Sequence, residues 1–145
     1  MIGAIIGDIV GSRFEFGAAP QQGFELFTPD CSYTDDTICT IAIADAVLNE
    51  RDYQESLLDW CRRYPDPMGG YGKRFYQWIN SDNPQPTDSC GNGSAMRVSP
   101  IGWLFDEWED VIEEAKKSAI ISHNHPEGIK GAQCIAEAIY WLRLM

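Results

Sequence analysis

The segment that follows Tyr33 restricts the fold of this chain more than any other part of its sequence. From residue 34 to residue 49, a polar start leads into residues that are apolar almost all round a helix. Thr34 is a suitable N-cap, and Asp35 and Asp36 in the first turn favour the helix dipole. A helix that is apolar on every side has to be surrounded by other elements. The segment therefore predicts a buried helix.

Two further helices are indicated by capping-box spacing, in which a small polar residue precedes a glutamate by three positions. Asp52 and Glu55 have this spacing and open a helix that ends near Arg62. Asp106 and Glu109 repeat it before another segment with helical periodicity.

Loops rich in proline and glycine separate the remaining helices. A short helix is predicted with Phe75, Trp78 and Ile79 on one face, and a loop at residues 81–93 leads into another from about Ser94. No alternating strand pattern occurs, so the predicted fold class is all-α.

Gly3, Gly7 and Gly11 recur at four-residue spacing within residues 2–12. On a helix they form one smooth stripe, which costs about 1 kcal/mol of helix propensity per glycine. The stripe therefore predicts close backbone packing. A strand stays open as an alternative, because the Ile and Val pairs also suit a sheet.

The last predicted helix opens at Pro126 and reaches Met145 without a glycine cap, a polar tail or a proline stop. It is still amphipathic where the chain ends, so its apolar face is expected to have a partner. We therefore expect residues 1–145 to be a truncated, partial domain. Its apolar positions are Ile129, Ala132, Ala136, Ile139 and Leu142.

Composition narrows the classes of partner. The 145 residues, the length of one ordinary domain, carry a formal charge of −11 from 22 acidic and 11 basic residues. This charge repels nucleic acids and anionic lipids, so neither is an expected partner. An anionic small molecule would have to be bound by local donors or by a metal ion.

Cysteine usage and hydropathy bear on localisation. The five cysteines are odd in number and form no C-x-x-C pair, which indicates neither a disulfide framework nor a zinc ribbon. The apolar amino terminus has no basic flank and is interrupted by Asp8, unlike a signal peptide. No stretch approaches the roughly 20 apolar residues of a membrane span. A cytoplasmic protein without a membrane partner is expected.

The amino end of the buried helix is the first candidate site. Thr34, Asp35 and Asp36 offer three hard oxygen ligands of the kind that Mg²⁺, Mn²⁺ or Ca²⁺ prefers. Side chains of adjacent helical residues point about 100° apart. Both carboxylates can therefore face the same two metal ions only near the flexible end of the helix. Capping and the helix dipole alone are the alternative explanation.

Glu15 is the second candidate, because it lies between Phe14 and Phe16. Aromatic neighbours can raise the pKa of a carboxyl group and make it a base. The alternative is a surface glutamate beside buried aromatics.

The third candidate is the sequence Gly91-Asn92-Gly93-Ser94, with Arg97 one turn along. Free backbone N–H groups at a glycine-rich helix start can bind an anion such as a diphosphate. An ordinary loop-to-helix turn is the alternative.

His123 and His125 form the last candidate. Two histidines could bind zinc, but no third ligand of the right kind is near in the sequence. They are interpreted as hydrogen-bond donors at a loop.

The order of these motifs resembles that of the ADP-ribosylglycohydrolase family, which includes the hydrolase that reactivates dinitrogenase reductase. The resemblance covers residues 2–134. It rests on Gly-Ala-Ile-x-Gly-Asp, then Glu15, then Tyr-Thr-Asp-Asp-Thr, then Gly-Asn-Gly-Ser-Ala-Met-Arg, then Ser-His-x-His.

The resemblance implies an all-α, orthogonally packed bundle around two Mg²⁺ or Mn²⁺ ions, and ADP-ribose or an ADP-ribosylated target as ligand. Thr34, Asp35 and Asp36 match amino-terminal metal ligands, and Glu15 matches a glutamate that activates water or contacts the ribose. His123 matches a histidine near the phosphates.

The loop and its neighbourhood complete the resemblance. Residues 91–94 match the loop that binds ADP-ribose, and Met96 and Arg97 are expected to support that loop. Tyr71, in Gly-Gly-Tyr-Gly, is a further candidate for lining the pocket.

One departure from the family pattern limits this expectation. The family closes with a Gly-Asp-x-Asp-Thr motif that completes the metal site, whereas Asp110 is the last aspartate here. The chain is therefore expected to be a glycohydrolase that needs a complementary chain or a homo-oligomer. A catalytically incomplete ADP-ribose binder and a purely structural protein are the alternatives.

Overall fold

The structure is a computed structural model that describes residues 1–145, and it contains seven α-helices and no strand. The all-α prediction is confirmed. Short 3-10 turns occur at Ser12–Phe14 and Asn92–Ser94. No helix is both long enough and apolar enough to cross a lipid bilayer. The helices are α1 (Ile2–Gly11), α2 (Asp35–Leu48), α3 (Tyr53–Arg63), α4 (Lys73–Ile79), α5 (Ser99–Leu104), α6 (Trp108–Ile120) and α7 (Pro126–Arg143).

Helix α2 lies in the core, as its sequence predicts. It packs against α1, α3 and α5. Cys39, Ala42 and Ile43 are fully buried on α2, and Leu57 and Cys61 of α3 are fully buried against them. Burial around most of α2 removes apolar area from water on several sides, which stabilises the fold by roughly 25 cal/mol for each Å².

A second layer is formed by α7, which packs on α6 and α5. Ala115 and Ala119 of α6 and Ala132 and Ala136 of α7 are all fully buried. Residues four apart share one face of a helix, and alanine lets two helix backbones approach closely. Small buried side chains therefore form part of the contact between these two helices.

Helix starts agree with the sequence prediction at Thr34, Asp52 and Pro126 and differ at two positions. The Thr34 hydroxyl accepts from the N–H of Asp36 at 3.2 Å, and Asp52 caps α3. The predicted cap at Asp106 is wrong, because α6 begins at Trp108 after Glu107. Instead, the Asp106 carbonyl accepts from Tyr140 of α7 at 3.2 Å, so tertiary contacts place this residue outside the helix.

The helix predicted from about Ser94 also begins later than expected, because residues 92–94 form a 3-10 turn and α5 starts at Ser99. Pro100 lies in the first turn of α5, where its missing N–H and restricted φ are tolerated.

Helix α1 is helical as predicted, but its glycine stripe is not a packing surface. A Cβ added to Gly3, Gly7 or Gly11 would meet no atom within 4 Å. No residue of α1 is buried, and Ile2 and Ile6 are 69% and 46% exposed. The close packing predicted for the stripe is therefore wrong in this structure, since the stripe faces open space.

Gly102 is where α5 and α7 approach most closely, so Gly102→Ala is expected to destabilise the fold by about 2 kcal/mol. An added Cβ would lie 2.5 Å from the Ala136 carbonyl oxygen and 2.8 Å from Cβ of Ile139. Overpacking of this kind costs about 1–3 kcal/mol. Urea unfolding followed by circular dichroism measures the change. Gly3→Ala is the control, because open space at this helical position predicts a small gain; equal destabilisation by both would contradict the packing argument.

Candidate functional site

Asp8 of α1 binds the amino end of α2. Its carboxylate accepts from the backbone N–H and hydroxyl of Thr34 at 2.9 and 2.6 Å, and from those of Thr37 at 3.2 and 2.5 Å. Sequence reasoning missed this role. The available signal was that Asp8 is the sole charged residue among residues 1–12. Four charge-assisted hydrogen bonds fix the position of α1 relative to the acidic residues that follow Thr34.

Thr34 acts as the predicted cap. Its hydroxyl donates to Asp8 and accepts from the N–H of Asp36, and the residue is 3% exposed. These two bonds leave one lone pair of the hydroxyl oxygen. Its assignment as a metal ligand stays a prediction.

Asp35 and Asp36 face two different spaces. Asp35 lines a cavity of about 330 Å³, whereas Asp36 lines an open groove of about 420 Å³. Consecutive helical residues point about 100° apart, which accounts for the divergence. Asn92 lines both spaces, so the cavity and the groove meet at the glycine-rich loop.

The two carboxylates carry negative charge that no lysine or arginine side chain pairs with. Burial raises the pKa of Asp35 to about 6, and the charges of Asp36, Glu15 and Asp8 contribute. Burial also raises the pKa of Asp36, with the charges of Asp8 and Glu15 as the next causes. The raised pKa values mean that negative charge is disfavoured here until a cation neutralises it.

This donor set fits one side of a site for a hard divalent cation. Carboxylate and hydroxyl oxygens are the ligands that Mg²⁺ and Mn²⁺ prefer. However, no group of three His, Cys, Asp or Glu side chains is arranged to hold a metal ion. Ligands beyond Asp35 and Asp36 would have to come from Thr34, from water or from another polypeptide.

Glu15 lies in the groove with Asp36, not in the cavity. It is exposed, and Phe16 is 80% exposed, so the neighbouring aromatic rings do not enclose its carboxylate. Glu15 is therefore the surface glutamate of the alternative interpretation, although Phe16 beside it is not buried. Its charge still reaches Asp35 and Asp36, since it contributes to the raised pKa of both.

An aromatic and basic wall of the cavity comes from α4. Phe75 and Trp78 stack with ring centroids 5.4 Å apart and 12° between their planes. Lys73 and Arg74 line the same cavity, are exposed and form no ion pair. Sequence reasoning treated Phe75 as a helix face and missed the two cations. A local positive rim therefore exists on a chain whose net charge is −11.

The backbone of the glycine-rich loop forms another part of the cavity wall. Gly91, Asn92 and Gly93 line the cavity. The N–H groups of Asn92 and Gly93 donate to no protein acceptor. Ser94 is fully buried and its hydroxyl donates to the Gly128 carbonyl at 2.8 Å, so its side chain anchors the loop instead of facing the cavity. Two free N–H groups can receive an oxygen anion.

Arg97 is fully buried at the cavity wall, and its hydrogen bonds go to the end of α6 and to Ser122 instead of to the loop, so its expected role in supporting the loop stays a prediction. Its Nη2 donates to the Ser118 carbonyl at 2.7 Å and to the Ser122 hydroxyl at 2.8 Å. Its Nε and Nη1 have no partner. Burial lowers the pKa of its guanidinium, which nevertheless stays charged because arginine titrates far above neutral pH.

The two histidines have separate roles. His123 lines the cavity and is 7% exposed, and burial followed by the charge of Arg97 lowers its pKa to about 4. Nδ1 of His125 instead accepts from the N–H of Glu127 at 3.1 Å and caps α7. The interpretation of both histidines as hydrogen-bond donors is therefore wrong for Nδ1 of His125, which accepts a hydrogen bond.

Tyr71 lies outside the cavity, so its assignment to the pocket lining is wrong. Its hydroxyl donates to the Tyr64 carbonyl at 2.7 Å, and the ring lines a separate space of about 170 Å³. Tyr71 therefore holds the loop that follows α3.

Gly93→Ala is expected to abolish ligand binding in the cavity while the fold is retained. An added Cβ would lie 2.7 Å from Nε2 and 2.9 Å from Cε1 of His123, so the imidazole or the loop has to move. A shift of that size at a binding surface removes well-aligned hydrogen bonds. Calorimetric titration with ADP-ribose measures the loss, with circular dichroism as the test of folding. Gly131→Ala is the control, because its added Cβ would lie 3.7 Å from Cβ of Ala95, an ordinary contact, and Gly131 lines neither the cavity nor the groove.

Comparison with known proteins gives one family. A family model described as ADP-ribosylglycohydrolase matches residues 1–144. The chain is 28% identical to ADP-ribosylhydrolase ARH3 of Xenopus tropicalis, covering 97% of this chain and 48% of that protein. It is 29% identical to ARH3 of Mus musculus, covering 97% and 47%. An uncharacterized protein of Escherichia coli, YegU, is 29% identical over 74% of this chain and 36% of its own length. The chain thus spans about half the length of the ARH3 relatives that it matches.

Proposed function

The chain belongs to the ADP-ribosylglycohydrolase family, and on that premise we propose that it binds ADP-ribose and takes part in hydrolysing the glycosidic bond between ADP-ribose and a protein or other acceptor. The observation that carries this proposal is the cavity of about 330 Å³. It combines anion donors, an aromatic face and a carboxylate, which are the groups that the parts of ADP-ribose require.

The diphosphate is assigned to the glycine-rich loop. The free N–H groups of Asn92 and Gly93 supply hydrogen-bond donors, and Lys73 and Arg74 supply nearby positive charge. His123 lies beside Gly93 on the same wall. Oriented backbone donors in a partly enclosed site favour an anion even where the net charge of the protein is negative.

The adenine is assigned to Phe75, which is half-buried and stacked on Trp78. A flat aromatic ring that is held in place by a second ring offers a stacking surface for a base. The remaining ribose then lies toward Asp35, at the side of the cavity that the amino end of α2 forms.

Thr34, Asp35 and Asp36 would hold Mg²⁺ or Mn²⁺, with two ions in a complete site. Such ions would supply positive charge that offsets the carboxylates and polarises oxygen atoms of ribose and water. The half-buried carboxylates without a basic partner support this assignment.

Glu15 is proposed as the base. It lies in the groove that meets the cavity at Asn92, where water has free access. Cleavage at the ribose carbon passes through an oxocarbenium-like transition state, and the incoming water must lose a proton. An exposed carboxylate beside Asp36 can accept that proton.

A catalytically incomplete binder is the second candidate, and two observations favour it. The chain has no preformed group of three His, Cys, Asp or Glu ligands for a metal ion. An open groove between α1, α5 and α7 is also mostly apolar, and Trp103 and Ile135 in it are 48% and 45% exposed. In this form a complementary chain or a second copy would cover the groove and complete the site.

Incubating the chain with Mg²⁺ and an ADP-ribosylated protein, and quantifying free ADP-ribose, tests the proposal. We expect release that EDTA and Glu15→Gln abolish. Glu113→Gln is the matched control, because Glu113 is exposed on α6 and lines none of the cavities described above. ADP-ribose binding is measured in parallel by calorimetry.

Binding of ADP-ribose without its release from the modified protein would support the incomplete binder. Assaying chromatographic fractions of defined oligomeric state would then show whether a dimer is active. Neither binding nor release by a folded chain would overturn both candidates. Release that persists in Glu15→Gln would remove Glu15 from its proposed role.

A further inference from the structure

Ser122 lies between the buried guanidinium of Arg97 and the imidazole of His123, which lines the cavity. Its hydroxyl oxygen lies 2.8 Å from Nη2 of Arg97 and 2.9 Å from Nδ1 of His123, and the residue is 1% exposed. A guanidinium can only donate, so the Ser122 oxygen accepts from Arg97. The direction of the second hydrogen bond decides which nitrogen of His123 carries its hydrogen.

The hydroxyl hydrogen of Ser122 has one available acceptor, Nδ1 of His123, because the oxygen forms no other hydrogen bond. If Nδ1 carried the hydrogen and donated, the buried hydroxyl hydrogen would be left without a partner. An unsatisfied buried donor costs about 1–3 kcal/mol. The positive charge of Arg97 also opposes a second proton on the ring. Nδ1 therefore accepts, and Nε2 bears the hydrogen.

Nε2 is open to the cavity. It makes no hydrogen bond within the protein, and it is not among the enclosed atoms without partners, which belong to Arg13, Arg97 and Arg143. Nε2 lies next to Gly93, since a Cβ added to Gly93 would be 2.7 Å from it. Its N–H is therefore beside the free backbone N–H groups of the glycine-rich loop.

We propose that Arg97 and Ser122 are positioning residues that hold His123 as the neutral Nε2–H tautomer, so that it donates a hydrogen bond to an oxygen anion in the cavity. His123 is then a fixed donor and not a proton-transfer group. The identity of the anion as a phosphate of ADP-ribose rests on the proposed function. The tautomer itself depends on the protein alone.

Nuclear magnetic resonance of ¹⁵N- and ¹³C-histidine-labelled chain at pH 7.5 tests the tautomer without any ligand. The chain has two histidines, so His125→Gln assigns the signals. We expect His123 to show the Nε2–H pattern in the wild type and a mixture of tautomers in Ser122→Ala. Ser56→Ala is the matched control, since Ser56 is also a fully buried serine but bonds the Ala42 carbonyl. An Nδ1–H pattern in the wild type would overturn the proposal, whatever Ser122→Ala does to folding.

Calorimetry with ADP-ribose tests the consequence. Ser122→Ala and His123→Ala are each expected to weaken binding about tenfold, which corresponds to about 1.4 kcal/mol for one hydrogen bond. The double variant should lose little more than either alone, because both changes remove the same donor. Additive losses would contradict a shared role. If the wild type shows the Nε2–H pattern but binds no ADP-ribose, the tautomer stands and the proposed function falls.

Discussion

Asp35→Asn is expected to make the metal-free chain more stable at pH 7.5 and, at the same time, to abolish its stabilisation by Mg²⁺. Burial and neighbouring carboxylates raise the pKa of Asp35 from 3.8 to about 6 in the folded chain. The folded state therefore binds this proton more tightly than the unfolded state, and stability falls as the pH rises from about 4 to about 6. A neutral asparagine removes that loss.

The expected gain is about 1–2 kcal/mol. A shift of about two pKa units corresponds to roughly 3 kcal/mol, and the partial exposure of Asp35 reduces this through solvent screening. Thermal unfolding in EDTA at pH 7.5 and at pH 4 measures the effect, which should be present at the higher pH and absent at the lower one. Asp110→Asn, on the exposed face of α6, is the control.

The second measurement adds Mg²⁺. The wild type should gain stability as the ion concentration rises, because a ligand that binds only the folded state shifts unfolding. Asp35→Asn should show no gain, and hydrolysis of an ADP-ribosylated protein should fall at least a hundredfold. A destabilised Asp35→Asn chain in EDTA would contradict the argument that Asp35 is unfavourable to the metal-free fold.

Asp8→Ala is expected to destabilise the fold by about 4 kcal/mol and to release α1 from α2. The substitution leaves the N–H and hydroxyl groups of Thr34 and Thr37 without the carboxylate that now accepts from all four. Each hydrogen bond to a charged group contributes about 1.5–3 kcal/mol, and water can replace part of this at a half-buried site. Helix α1 has no buried side chain that would hold it otherwise.

Urea unfolding measures the loss, and amide hydrogen exchange locates it. Residues of α1 should show the fastest exchange through local opening, and those of α6 and α7 should exchange only through global unfolding. Asp82→Ala, in an exposed loop, should change stability by less than about 0.5 kcal/mol. If α1 stays protected in Asp8→Ala, the apolar contacts of α1 are stronger than its exposure indicates.

Most helices were predictable because their signals are local. The Thr34 and Asp52 caps lie beside the residues whose N–H groups they bind, and the apolar pattern of α2 repeats over several turns. The cap at Asp106 failed for the opposite reason. Asp106 is bound by Tyr140 and Arg143 instead of capping α6. Both lie more than 30 residues away in sequence, so no local pattern predicts these contacts.

The site was predictable in residue type but not in arrangement. The order of motifs predicted that Asp35, the glycine-rich loop and His123 belong to one site. All three line one cavity in the structure. The order could not show that Asp36 and Glu15 face a separate groove, or that Tyr71 lies elsewhere. Side-chain direction depends on how each helix is rotated against its neighbours.

By itself, the sequence determined the fold class, most helix positions and the family, because periodicity, caps and ordered motifs are properties of neighbouring residues. Only the tertiary structure decided that Asp8 anchors α2, that Phe75, Lys73 and Arg74 line one cavity with the glycine-rich loop, and that Ser122 joins Arg97 to His123. Each of these contacts joins segments distant in sequence. Their geometry follows from the packing of α1, α3 and α5 on α2, of α4 on α3, and of α7 on α5 and α6. No single segment contains that information.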